Sequence, residues 1–274
     1  MGAMFLGYPN RAHGATITGG SWNASYPVTN LATRPLDQVA RSTNDDATST
    51  KFIVDLGTTY SVQAFALRSH NLSSAATIKL DFGTSSGGTE GGSSGTVNAW
   101  RMSFDSVMRN FPSGTYDSII GYPFDVIYVH SAAMTARYIE CEITDTSNPL
   151  NYVQAGRVGV FGGLTDYMSV GATIDWNDLT EVERSLGGSI LFQQKRRYRT
   201  AEIPLTRLDS TSRGKLMDAR RGAGIHDEVL FVPDLADMAN AQEFGFVGRF
   251  TGAQKMPWSM PTRFDTALVL EELL

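Results

Sequence analysis

From Lys51 onward, the first half of the chain is a succession of short apolar runs separated by clusters of Gly, Ser, Thr and Asn. That spacing is the pattern of an antiparallel β-sandwich rather than of alternating strands and helices. It predicts strands at Phe52 to Leu56, Val62 to Arg68, Thr77 to Phe82, Phe124 to His130, Tyr138 to Thr144 and Arg157 to Phe161. Several of these runs alternate with period two. Ile139, Cys141 and Ile143 are expected to face a core while Glu140 and Glu142 face water. Cys141, the single cysteine, then reads as a small buried hydrophobe and not as a reactive thiol.

At 274 residues the chain is long for one compact domain, which favours two. The pattern changes near Gly162-Gly163-Leu164, predicting an antiparallel sandwich domain over residues 1–163 and a second β-rich domain over 164–274. After a polar stretch from Trp176 to Arg184, the second block reads as strands at Ser189 to Gln193 and Thr200 to Leu205. A helix follows at about Ser212 to Arg221, and further strands at Val229 to Val232, Phe244 to Phe250 and Phe264 to Leu270. Ser210 or Thr211 is the expected helix cap, Leu216 and Met217 the apolar face, and Gly222 and Gly224 the stop. The fold class is therefore mainly β with one substantial helix.

Several classes of function are excluded. A formal charge of -5 exerts no general pull on nucleic acid or anionic membrane. One cysteine permits no internal disulfide, and no Cys/His cluster has zinc spacing. The N-terminus lacks the form of a secretory signal and no run of about 18 apolar residues occurs, so synthesis in the cytoplasm without membrane insertion is expected. The run from Gly83 to Gly95 reads as an exposed, mobile loop; it lacks the GxxxxGK[ST] pattern of a phosphate loop. His13, His70, His130 and His226 stand apart from one another, and the nearest approach to an acid/base constellation, Ser69-His70-Asn71-Leu72-Ser73, reads as a turn. No metal, no cofactor and no enzymatic activity are expected.

One charge feature calls for an explanation. Of the 23 basic residues, 10 fall between Arg184 and Arg221, among them Lys195, Arg196, Arg197 and Arg199 around Tyr198. Set between two strands, this run reads as a hairpin arm with three possible roles: nucleic-acid contact with Tyr198 stacking, subunit contact with acidic residues of another copy, or a solvated edge guarded by charge. Residues 166–274 carry 16 acidic against 13 basic residues, which decides against nucleic acid.

Three segments together carry a resemblance: Phe52-Ile53-Val54-Asp55-Leu56-Gly57, Val62-Gln63-Ala64-Phe65-Ala66-Leu67 with Ser69-His70-Asn71-Leu72-Ser73, and Ala136-Arg137-Tyr138-Ile139-Glu140-Cys141. With Asn30 to Leu36 and Arg41-Ser42 upstream, residues 20–163 resemble discoidin-like, galactose-binding-type jelly rolls. The "HNLSSAAT" and "VGVFGGL" segments are similar to modules in virion proteins of tailed bacteriophages. The order of elements in the second half looks like the tail-tube-like β domain of distal tail and baseplate hub proteins.

That resemblance implies a non-enzymatic structural protein of a phage tail tip or baseplate, made in the host cytoplasm and carried in the virion. Its copies would form a ring and link the tail tube to hub and tip components. Lys195, Arg196, Arg197 and Arg199 would be subunit contacts, with Tyr198 as a packing anchor. The alternative is a carbohydrate-binding module for host surface glycan, with Trp22, Tyr26, Arg41, His70 and Trp100 supplying stacking or polar contacts. The disulfide and calcium carboxylates of many discoidin-like lectin domains are missing or unrevealed.

Overall fold

The computed structural model describes residues 3–100, 125–184, 187, 189–193, 195, 197–251, 258–260 and 263–273, the segment 258–260 by its backbone. Phe124 and Arg196 lie outside them. The chain is mainly β. In order come β1 (Met4–Asn10), β2 (Thr16–Thr18), β3 (Ala40–Arg41), the short helix α1 (Ala47–Thr50), β4 (Phe52–Arg68), β5 (Thr77–Gly83), β6 (Gly92–Asn98), β7 (Val126–Thr144), β8 (Gln154–Ala155) and β9 (Arg157–Asp166). The second half adds β10 (Thr173–Asp178), β11 (Glu181–Arg184), β12 (Ile190–Gln193), β13 (Arg197–Leu208), α2 (Ser210–Ala223) and β14 (Val229–Val232). The chain closes with α3 (Ala241–Phe244), β15 (Phe246–Phe250), β16 (Trp258–Met260) and β17 (Arg263–Glu272).

Two pairs of expected strands merge. Phe52 to Leu56 and Val62 to Arg68 are the ends of the single strand β4, while Val126 to His130 opens β7 and Tyr138 to Thr144 ends it. The two long strands run antiparallel, with register shifts near Asp55/Tyr60 and Val62/Ala64. Such irregularities bend a long strand, so one strand can serve two regions of the sheet. Ile139, Cys141 and Ile143 are buried as their alternation requires. Burial raises the Cys141 thiol well above its ordinary pKa, with Glu142 and Glu140 adding to the effect.

The run Val62 to Arg68 is buried on both faces. Val62, Phe65 and Leu67 point into the jelly-roll core with Phe52, Leu80, Phe82 and Ile139. On the opposite face Ala64 and Ala66 join Ile127, Val129 and Phe161 in packing against Phe5, Leu230, Val232 and Val247. Near-continuous hydrophobicity is the signature of a strand covered on both sides.

The strand β1 pairs antiparallel with β9 on one side and β14 on the other, making one 13-stranded sheet that runs through both halves. Met4 and Leu6 lie in a further core with Ala201, Ile203 and Leu205 of β13, Leu268 and Leu270 of β17, and Phe231 and Phe246. The helix α2 covers the same core with Leu216 and Ala223, while Met217, expected on the apolar face, is exposed. The cap is Asp209 and not Ser210 or Thr211: its carboxylate accepts from the Ser212 backbone N–H at 2.7 Å. Gly224 closes the helix at φ 55°, its N–H donating to the Arg220 carbonyl. Phe244, expected to open a strand, instead ends α3, and β15 begins at Phe246.

The run Gly83 to Gly95 is exposed over most of residues 84–90, as expected, but it is only partly a loop. Its second part, from Gly92, is the edge strand β6, and only a short turn joins it to β5. The Gly91 N–H donates to the Phe82 carbonyl at 2.8 Å, and the Glu90 carboxylate accepts from the Thr84 N–H and the Ser85 hydroxyl. A Cβ on Gly83 would stand 2.4 Å from the Gly88 carbonyl oxygen, so this turn closes only around glycine.

Candidate functional site

The strands β11 and β12 form a two-stranded ribbon that pairs with no other described strand, with Val182 opposite Phe192 and Arg184 opposite Ile190. Every described side chain in both strands is exposed. Val182 is 57% exposed, Leu191 57% and Phe192 69%. At the ribbon's base lies β10, the outermost strand of the large sheet, with Trp176 and Leu179 also exposed nearby. An isolated ribbon of this kind gains little from its own packing. Its exposed apolar side chains suit a surface that covers them.

The basic run flanks this ribbon, and its members separate. Lys195 pairs with Glu181, and the Arg197 Nε lies 3.0 Å from an Asp178 carboxylate oxygen. Both pairs are exposed and contribute little to stability. Tyr198 is half-buried, opposite Asn177 across the β10–β13 pair. Arg199 is fully buried, which removes it from the expected subunit contacts. Its Nε and backbone N–H donate to Glu272 at 3.0 and 2.9 Å, and Nη1 donates to the Gln242 and Glu243 carbonyls at 2.8 and 2.9 Å. The apolar residues Val182, Ile190, Leu191 and Phe192 are contact candidates that charge does not reveal. Their signal is an apolar run in a segment that pairs with no other described strand.

At the jelly-roll end, β3 pairs with β8 and places Arg41 opposite Gln154. The Arg41 guanidinium donates to Gln154 Oε1 from Nε and Nη2 at 3.2 and 2.8 Å and lies between the rings of Tyr26 and Tyr152, 4.6 and 4.4 Å from their centroids. Tyr26 is 38% exposed. The other expected glycan contacts are elsewhere. Trp22 packs edge-on against Phe52 at 6.1 Å, and Trp100 is buried with its Nε1 donating to the Leu72 carbonyl. His70 meets the Trp100 ring at 5.2 Å. Trp22 and Trp100 therefore belong to the jelly-roll core, because each ring buries more apolar surface there than an exposed platform would. Sequence reasoning missed Tyr152 and Gln154.

Among the described residues, no group of three or more His, Cys, Asp or Glu side chains is placed to hold a metal ion, and no helix is long and apolar enough to cross a membrane.

The fold defines a mainly β protein with a jelly-roll sandwich in its first half. No family model and no curated protein matches the chain. Among solved structures it is similar to the lectin domain of Lectinolysin complexed with Lewis B antigen, at 17% identity and a TM-score of 0.37, over 57% of this chain and 97% of that one. It is similar to a family 32 carbohydrate-binding module from Clostridium perfringens in complex with galactose, at 12% identity and a TM-score of 0.38, over 57% and 99%. A family 89 glycoside hydrolase from Clostridium perfringens is matched at 15% identity and a TM-score of 0.40, and there the chain spans only 15% of the other chain's length.

Proposed function

We propose that the chain is a non-catalytic structural protein of a phage tail tip or baseplate, whose copies join into a ring that contacts tail tube and hub proteins. The observation that carries this reading is the exposed apolar ribbon of Val182, Ile190, Leu191 and Phe192 beside β10, whose outer edge pairs with no other described strand. A ring closes when one face of each copy meets a different face of the next, and an outlying ribbon supplies one of those faces. The order of sequence segments supplies the tail assignment, and the comparisons add no support to it. The test is the mass of the full chain in solution by light scattering, for the parent and for Leu191→Ser with Phe192→Ser. A discrete oligomer that the double variant reduces to monomers supports the reading; a parent that stays monomeric at high concentration removes it.

A second reading, glycan binding by the jelly roll, rests on the Tyr26, Arg41 and Tyr152 stack. It is the reading nearer to the similar structures, two of which hold Lewis B antigen or galactose, although a likeness that distant leaves the stack to carry the argument. An exposed tyrosine ring with an adjacent guanidinium offers a stacking face and hydrogen-bond donors to a sugar. Glycan-array binding that is lost in Tyr26→Ala supports it; an array with no signal for the parent counts against it. The two readings are compatible, since they use different halves of the chain.

A further inference from the structure

A cleft of about 290 Å³ is lined on one side by His13, Arg34, Arg68 and Arg157 from the first half of the chain and on the other by Asp227 and Glu228 from the second. Neither the ribbon nor the tyrosine stack contributes to it. Its two carboxylates are already engaged. Glu228 accepts from Asn10 Nδ2 at 2.8 Å and from Arg157 Nε at 2.8 Å, with Arg68 Nη1 at 3.5 Å. Asp227 accepts from Arg34 Nη2, while Arg34 Nε donates to His13 Nε2 at 3.3 Å and Nη1 to the His226 carbonyl at 3.5 Å. Arg68 is held by Asp125 and the Leu273 carbonyl.

Arg157 is different. Its side chain is 2% exposed, Nε is used by Glu228 and Nη1 by the Thr33 carbonyl, while Nη2 has no acceptor among the described residues and is not one of their buried unpartnered atoms, so it still reaches solvent. Burial depresses its pKa, Glu228 opposes that, and repulsion from Arg68 and Arg34 adds to the depression. Arg34, by contrast, keeps a side chain 47% exposed at the rim. A largely buried guanidinium whose last donor still reaches solvent at the wall of a cleft, beside a second guanidinium exposed at the rim, is an arrangement that can receive an oxyanion.

The geometry points to this cleft as a binding site for a compact oxyanion, a carboxylate or phosphate group, held by Arg157 from within and Arg34 from the rim. The anion would offset the mutual repulsion of the guanidinia and take the place of solvent at Arg157 Nη2 with a charge-assisted hydrogen bond. Because both halves line the cleft, an occupant would also tie them together, and binding to the folded chain would raise its melting temperature.

The test is calorimetric titration of the full chain with inorganic phosphate and, separately, with acetate, at ionic strength held constant with sodium chloride. One saturable site is expected for at least one of the two, and which of them binds identifies the ligand class. Arg34→Gln should weaken it about tenfold, as loss of a charge-assisted hydrogen bond does. Asp227→Asn should strengthen it several-fold, because it removes the carboxylate that neutralises Arg34 at the rim. Arg221→Gln, on the exposed end of α2, should leave the affinity unchanged. Absence of saturable binding for both anions, or an affinity that neither cleft variant changes, overturns the proposal.

Discussion

Arg199 on β13 and Glu272 on β17 form an ion pair inside the protein, the guanidinium side chain fully buried and the carboxylate side chain 3% exposed. Both belong to a polar seam within an apolar surround: Gln242 Nε2 donates to the Ala99 and Asp125 carbonyls, and Phe246 lies beneath the Arg199 guanidinium. Removing one partner leaves the other charge buried without its counter-ion. Arg199→Met is therefore expected to cost about 3–5 kcal/mol. Urea denaturation measures it, and a loss under about 1 kcal/mol would show that the pair does not hold β13 to β17.

The exposed pairs at the ribbon should behave differently. Changing Lys195 and Arg197 to Gln is expected to alter stability by less than about 1 kcal/mol, because both pairs are solvated. If subunits meet there, assembly should weaken modestly at low salt and little at high salt. Sedimentation at two ionic strengths reads this, and a loss of assembly that salt leaves unchanged argues against rim charges.

Asp55 and Arg137 fasten β4 to β7 through two bonds, Nε to Oδ1 at 2.8 Å and Nη2 to Oδ2 at 2.9 Å. The Arg137 hydrogen bond is the largest influence on the Asp55 carboxyl and holds it below its ordinary pKa. A carboxyl whose pKa is lowered by folding stabilises above its unfolded value, and that contribution is lost as pH falls through the folded one. Arg137→Gln should thus narrow the stability difference between neutral and acidic solution, below about pH 4. Urea midpoints across that range check it; equal acid sensitivity in parent and variant would exclude this role for the pair.

The strand β1 is the first of the chain yet lies between β9 and β14, with Leu6 buried in the core that α2 covers. Leu6→Ala is expected to cost about 2–5 kcal/mol. A fragment of residues 164–274 alone should fail to melt cooperatively, since it leaves β14 without its neighbour. Cooperative calorimetric unfolding of that fragment would show that β1 is dispensable to the second half.

The sequence by itself determined the class of structure and much of its local detail. Alternation at Ile139, Cys141 and Ile143 and the apolar run from Val62 to Leu67 depend on which side chains can leave water, and a linear pattern records that directly. Helix α2 was legible for a similar reason, although its cap is Asp209 and not Ser210 or Thr211. The tertiary structure alone decided where β1 pairs, which basic residues are buried, and which apolar residues stay exposed. Charge in a sequence does not disclose its partner: Arg197 and Arg199 are close neighbours on one strand, yet one meets Asp178 at the surface and the other meets Glu272 in the interior. Alternation along β13 puts them on the same face, and only the different depth of cover along the strand separates their roles. The cleft between Arg157 and Arg34 was likewise hidden, because its walls come from segments far apart in the chain that meet only when the sheet is assembled.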